Sequence, residues 1–384
     1  MLINRWFGRF LVVGCVLLGA CASAPDPVPQ IPVLFRDGAF KPQTNARLET
    51  RDDVFALDPA LEQQLQALTL QGKSTEQRLK ILLAHIYTDT GIRLSYASGH
   101  STGAAQTWAN KQGDCLSLTI LAYAAAQALD ITAHMQEVPG PAVVDRRGQI
   151  DFVNGHVNLH VPARSKISLG ERVFESGGFI VDFQPHSALR NLGRRLEERE
   201  IMARFYNNRA SEYLAHGQDD LAYRYFRTAG DADMRYAPIF SNLAVLYGRK
   251  RMDAEAEAAL RYAVALKGNS DVALKGLHQL LQSQGRLDEA QVIAQELQQW
   301  QDASPYYWLE RGKADLLAGQ AARAVDALER AQALANGFAD LHYHLALAYA
   351  RSGQADKAQA QQALLRSLVG DNPALALLGK KIRQ

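Results

Sequence analysis

Apolar residues along this 384-residue chain recur first at helical spacing, then at strand spacing, then again at helical spacing, and these changes divide it. Behind Asp58-Pro59, the positions Leu61, Leu65 and Leu68 predict a first helix. A Ser74/Gln77 capping box opens a second, through Leu79, Leu82, Leu83 and Ile86, which Gly91 stops. A short helix between Ser101 and Trp108 precedes the turn Lys111-Gln112-Gly113-Asp114. That turn feeds Cys115, after which Leu116, Ile120, Tyr123 and Ala124 keep helical spacing, with neighbouring alanines adding helix propensity, as far as Asp130.

The texture then becomes that of strands. Ile131–Val138, Ile150–Val153, His156–Val161, Val173–Glu175 and Phe179–Phe183 are separated by Pro-Gly, Arg-Gly and Gly-Gly punctuation. Helices followed by antiparallel strands predict an α+β domain over 52–187, and residues 188–202 read as a connecting helix.

From Ala203 the chain repeats itself with a period of 34, starting at Ala203, Ala237, Asp271, Pro305 and Ala339. The twentieth position is always alanine (Ala222, Ala256, Ala290, Ala324, Ala358), and the fifteenth is Gly217, Arg251, Gly285, Gly319 and Gly353. Tyr213, Tyr247 and Tyr349 share the eleventh position, while His278 and Gly312 make the third and fourth units less regular at the eighth. This resembles the tetratricopeptide repeat, whose helix-turn-helix units need a small residue where their helices cross and a turn former between them. The resemblance implies an all-α solenoid of five units over 203–372 that recruits a protein or peptide, with a tail at 373–384.

Charge adds an exclusion: 42 Lys and Arg against 40 Asp and Glu, in no block of one sign, remove the electrostatic reason to expect nucleic acid as partner. At 47% hydrophobic the chain can fill two ordinary soluble domains. The first residues form a targeting segment instead, with Arg5 and Arg9 before the apolar run Phe10 to Gly19, which is too short for a stable membrane span. It ends in Leu18-Gly19-Ala20-Cys21, which resembles the lipobox of bacterial lipoproteins and implies lipidation of Cys21. A simple secretory peptide cut after Ala22 or Ala24 is the alternative. With Ala22 behind the cysteine, the resemblance implies an outer-membrane anchor facing the periplasm, in the bacterial cell envelope. Pro25, Pro27, Pro29, Pro32 and Pro42 suit an extended tether over 22–51.

Cys15 leaves with the leader and Cys21 would carry lipid, so Cys115 has no partner for an internal disulfide. A thiol at a helix N-terminus is expected to have a lowered pKa, and the local N–H groups can face an oxyanion. The base should be a histidine. Of the ten present, His156 and His160 lie on one strand face, and His156 is favoured, with Asp182 in an apolar strand as the group that orients it. Gln112 is an oxyanion candidate, although a turn glutamine exposed to solvent is the more common case. The same Cys115 on an alanine-rich helix also fits a small core residue. Neither metal nor cofactor is expected: His156 and His160 stand roughly 13 Å apart along a strand, and His342 and His344 point to different helix faces.

Gly113-Asp114-Cys115 opening a helix, Gly155-His156 opening a strand and Val181-Asp182 on a later strand resemble the transglutaminase-like superfamily, over about residues 74–185. The resemblance implies a papain-like α+β domain with Cys115 as nucleophile, His156 as base and Asp182 as orienting acid. Val157-Asn158 and Phe183 depart from the family pattern, which bears on the acyl-substrate groove. Taken together, the sequence reads as a lipid-anchored cysteine acyl-transfer enzyme, a peptidase or amidase in preference to a transamidase. A non-catalytic envelope adaptor with a degenerate cysteine domain is the alternative, and a structural brace of the outer membrane is a third reading.

Overall fold

The computed structural model describes residues 34–68, 70–87, 95–96, 100–138, 143–147, 150–162, 166–169, 172–175, 178–183, 193–266, 270–335, 339–369 and 378. The leader, Cys21, Gly91 and all of the C-terminal tail but Leu378 lie outside them. Among the described residues no helix is long and apolar enough to cross a membrane.

Local signals set the first helices. Helix α1 (Arg51–Phe55) starts behind a Thr50/Asp53 capping box, and α2 (Pro59–Gln66) starts at Asp58, whose carboxylate accepts from the Ala60 and Leu61 N–H groups. At α3 (Thr75–Tyr87) the expected box forms, with Ser74 N–H donating to Gln77 Oε1 at 3.0 Å and Gln77 N–H to Ser74 Oγ at 3.3 Å. Helix α4 (Ala104–Asn110) ends on Lys111 at φ 57°, and Asp114 caps α5 (Cys115–Ala128). Helix α5 is buried on nearly every side, because its apolar residues and alanines leave only Tyr123, Gln127 and Ala128 outside the core.

The described residues contain ten short strands, from β1 (Ser95–Tyr96) and β2 (Gln112–Gly113), a parallel pair, through β3 (His134–Glu137), β4 (Val143–Arg147), β5 (Ile150–Asn154), β6 (Val157–Pro162), β7 (Lys166–Leu169), β8 (Arg172–Glu175) and β9 (Gly178–Val181) to β10 (Arg194–Arg195). Four of them make an antiparallel sheet in the order β10-β3-β6-β9. The pairs β4-β5 and β7-β8 are separate two-stranded ladders. The register sets His160 opposite both His134 and Ile180, and Leu159 opposite both Met135 and Val181. Leu159, fully buried, packs with Val157 and Val161 against the core that contains α5. An α+β arrangement is thus present.

The remainder is helical. Five helix pairs, α6 (Glu198–Ala215) with α7 (Asp219–Ala232), α8 (Ala237–Arg249) with α9 (Asp253–Ala265), α10 (Ser270–Ser283) with α11 (Leu287–Ala303), α12 (Pro305–Leu317) with α13 (Ala321–Leu334), and α14 (Ala339–Arg351) with α15 (Ala355–Val369), keep the 34-residue register. The five alanines at the twentieth position are all buried, at 0% to 3% exposure, so there is no room for a larger residue between paired helices. Each fifteenth position turns with positive φ, between 73° and 78° at the four glycines and 56° at Arg251.

Two expectations change. In the described part of the segment expected to be a connecting helix, 193–202, β10 pairs with β3, and α6 starts at Glu198 and runs unbroken into the first repeat. The segment expected to be an extended tether is docked in its described part, 34–50. Phe40 stacks on Tyr223 with ring centroids 3.9 Å apart, Tyr247 O–H donates to the Leu34 carbonyl at 2.9 Å, and Tyr206 O–H donates to the Glu49 carbonyl at 2.6 Å. Arg224 donates to the carbonyls of Gln43 and Ala46. The aromatic residues between the prolines supply burial that a free tether would lack.

Buried apolar side chains of the α+β region and of repeats 1 to 3 form one continuous core, whereas those of repeats 4 and 5 form a second.

Candidate active site

Gly113, Asp114 and Cys115 are placed by the start of α5. A Cβ on Gly113 would lie 2.8 Å from Ser117 Cβ and 3.1 Å from Thr107 Cγ2, so the chain can approach the helix start only without a side chain there. One Asp114 oxygen accepts from Ser117 N–H at 2.8 Å and Ser117 O–H at 2.7 Å, and the other accepts from Ser101 O–H. Burial pushes this carboxyl above the usual aspartate range against those bonds. Cys115 is a free cysteine, 9% exposed, and the backbone N–H groups of Val157 and Leu116 donate toward its sulfur.

The thiol does not behave as its position at a helix start predicts. Burial pushes it well above the ordinary cysteine value, and the Asp114 and Asp182 carboxylates add to the rise. The two N–H groups at the sulfur lower it, but not enough. Helix dipole effects act within one turn and are modest, whereas desolvation of a fully enclosed thiolate is not.

The His and Asp chosen from the sequence do meet. His156 immediately precedes β6 and Asp182 immediately follows β9, and His156 Nε2 lies 2.8 Å from Asp182 Oδ2, with the side chains 9% and 8% exposed. A carboxylate only accepts, so Nε2 is the donor, and in the neutral imidazole the lone pair then lies on Nδ1. His156 Nδ1 is buried and has no hydrogen-bond partner. Because Val157, the next residue, donates toward Cys115, the base and the sulfur share one end of β6. Asn158 Nδ2 donates to the same Asp182 oxygen at 3.2 Å.

Other sequence candidates fall elsewhere. His160 is a sheet residue whose pKa burial lowers. Gln112 is exposed in β2, paired with Ser95. His342 Nδ1 bonds Gln361 Oε1 at 2.6 Å and His344 Nδ1 lies 2.8 Å from the Asp340 carbonyl. Among the described residues no three His, Cys, Asp or Glu side chains gather as a metal site. Sequence reasoning missed Asn158 and Ser101. Alternation along β6 puts Asn158 on the His156 face and could have found it. Nothing local marks Ser101.

The other half of the chain is a stack of helix pairs with a small residue at each crossing and a left-handed residue at each turn. The solenoid is tetratricopeptide-like. No family model and no curated protein matches the chain. Similar solved structures include YrrB, a TPR protein with an unusual peptide-binding site, at 17% identity over 46% of this chain and 92% of that one, with a TM-score of 0.25. PilF of Pseudomonas aeruginosa is 21% identical over 48% of this chain and 85% of its own, with a TM-score of 0.27. PilW, a type IV pilus biogenesis factor, is 22% identical over 46% of this chain and 82% of its own, with a TM-score of 0.26.

Proposed function

We propose that this protein recruits a protein or peptide through its repeats and acts on an acyl group at a Cys115–His156–Asp182 centre of transglutaminase-like type. The observation that carries the catalytic part is the buried His156–Asp182 pair, which leaves Nδ1 without a hydrogen-bond partner beside the strand end that touches the sulfur. A thiol pushed up by burial rests protonated, so the attack is coupled to proton transfer. The Cys115 S–H proton passes to His156 Nδ1 as sulfur bonds the carbonyl carbon of an amide. The imidazolium, held by Asp182, returns that proton to the leaving amine as the C–N bond breaks, leaving a thioester. Water then gives a proton to His156, bonds the acyl carbon and releases the acid and the thiol, which makes the protein a peptidase or amidase. An amine in place of water would make it a transamidase. The backbone N–H groups at the start of α5 would face the oxyanion; Gln112, exposed in β2, is not used.

In this reading Cys21 is lipidated and holds the protein on the periplasmic face of the outer membrane. Cys21→Ser should move it from the membrane fraction to the soluble one.

The test of the pair is alkylation. Because the thiol alone is raised, reaction with iodoacetamide at neutral pH depends on His156. His156→Ala should label at least about tenfold more slowly at pH 7 and recover only as alkali ionises the thiol. Equal rates in both proteins at pH 7 would refute the pair.

A second reading, a non-catalytic adaptor in which repeats and α+β region only bind, is favoured by the depth of Cys115, 9% exposed with its thiol pushed up. It predicts that Cys115→Ala keeps the cellular role.

A further inference from the structure

Repeat 1 meets the cysteine centre at two places, at Gly155 directly and at Asp114 through Ser101. Tyr236, in the turn before α8, is 4% exposed, and its hydroxyl accepts from Gly155 N–H at 2.9 Å, one residue before His156. The His156 carbonyl is held from the other side by Val138 N–H at 2.9 Å. A Cβ on Gly155 would sit 3.3 Å from the Tyr236 hydroxyl, so this turn is fitted to the tyrosine. The ring itself is fixed, with the Arg204 guanidinium 4.1 Å from its centroid and Arg204 Nη2 2.5 Å from Glu137 Oε1. Glu137 stands opposite Val157 in the β3–β6 ladder, beside the residue whose N–H reaches the sulfur.

The second contact reaches the cap of α5. Asn208 on α6 donates through Nδ2 to Ser101 Oγ at 2.9 Å, and Ser101 O–H donates to Asp114, the cap of the helix that Cys115 begins. Glu212, one turn further on, accepts from Ser101 N–H at 2.6 Å and lies 2.7 Å from His100 Nδ1. Thr102 N–H donates to Ser117 Oγ at 2.8 Å, which closes the bracket around the helix start. Asn208, Glu212, Ser101 and Asp114 are all buried.

We infer that the repeats supply positioning residues for the proposed reaction: Tyr236 fixes the turn that presents His156, and Asn208 with Glu212 fixes Ser101 and through it the cap of the helix that presents Cys115. This rests on the acyl-transfer reading of the same site. It makes the solenoid part of the catalytic frame as well as a recruiting surface, because neither bracket exists without α6 and the turn before α8. A buried hydrogen bond that ends on the peptide next to a base restricts that base far more than the same bond at a domain edge.

The test uses the full chain and the pH profile of iodoacetamide reaction at Cys115, in wild type, Tyr236→Phe, Asn208→Ala and His156→Ala, each with its thermal transition recorded. The expected result is that Tyr236→Phe and Asn208→Ala each react about fivefold more slowly than wild type at neutral pH. The gap should close in alkali, where the thiol ionises without the base. A merely structural role would not produce a pH-dependent gap. If His156→Ala is slow and both other variants follow the wild-type profile, the positioning role is refuted and the pair survives. If His156→Ala matches wild type, the pair itself fails and takes this inference with it. If both positioning variants lose their cooperative transition while His156→Ala keeps it, the two residues are structural and the inference is overturned.

Discussion

Repeats 1 and 2 and repeats 4 and 5 share one architecture and use its corresponding positions differently. The sixth residue of a repeat is Asn208 and Asn242 in the first two units, both buried, and Glu310 and His344 in the last two, exposed and half-buried. Asn242 Nδ2 donates to Asn207 Oδ1 at 3.0 Å, Asn207 Nδ2 reaches Asn154 Oδ1 at 3.3 Å, and Asn208 reaches Ser101, so this ladder of amides runs straight into the α+β region. In repeat 4 Glu310 pairs with Lys313 at 2.7 Å, and Lys313 also lies 3.5 Å from Asp340 of repeat 5. The lesson is that a repeat face commits to an intramolecular partner by burying its polar groups, the amides together with Arg204 and Glu212. The later units keep the charged face that an external partner could use.

That comparison can be broken first at the cores. Phe240→Ala in repeat 2, where the ring is fully buried, should cost about 3–5 kcal/mol. It should lower the transition of the α+β region and of repeats 1 to 3 together, seen as coincident loss of helix signal and exposure of Cys115 to a thiol reagent. Leu345→Ala in repeat 5, equally buried, should cost about 2–5 kcal/mol but leave Cys115 protected until the main transition, because it belongs to the second core. Simultaneous exposure of Cys115 in both variants would merge the two cores.

A smaller effect of opposite sign is expected at a turn. Arg251 occupies with φ 56° the position that glycine fills in the other four repeats. Arg251→Gly should therefore stabilise repeat 2 by about 1 kcal/mol, measured by urea denaturation.

The smallest effect is electrostatic. The Glu212 carboxylate raises the His100 pKa above its ordinary 6.5, against partial burial. A raised histidine contributes stability that is fully present below its unfolded value and lost as pH rises through the folded one. Wild type should thus exceed His100→Gln in stability by at most about 1 kcal/mol in mild acid, since the side chain is more than half exposed, and the difference should fade above neutrality.

Much of this molecule was legible in its sequence. The 34-residue phase located every helix pair, because a small residue at each crossing and a turn former at each fifteenth position are local demands. The pairing of His156 with Asp182 was legible because an acid in an apolar strand needs a partner. The state of the Cys115 thiol was not, since the sign of its shift depends on how completely β6 and α5 exclude water. Nor was the docking of residues 34–50 legible: Phe35 and Phe40 find Tyr223 and Phe240 nearly two hundred residues away, and proline content alone suggested a tether. Tyr236 reads as one more aromatic in a helical repeat until Gly155 is seen beneath its hydroxyl.

The most direct test of the proposed centre is mass-spectrometric trapping of an acyl adduct on Cys115, with the purified protein incubated in a cell-envelope extract and quenched in acid. The account predicts a covalent acyl mass on the Cys115 peptide of wild type that is lost in His156→Ala. No adduct on the folded wild type, or the same adduct in both proteins, would contradict it.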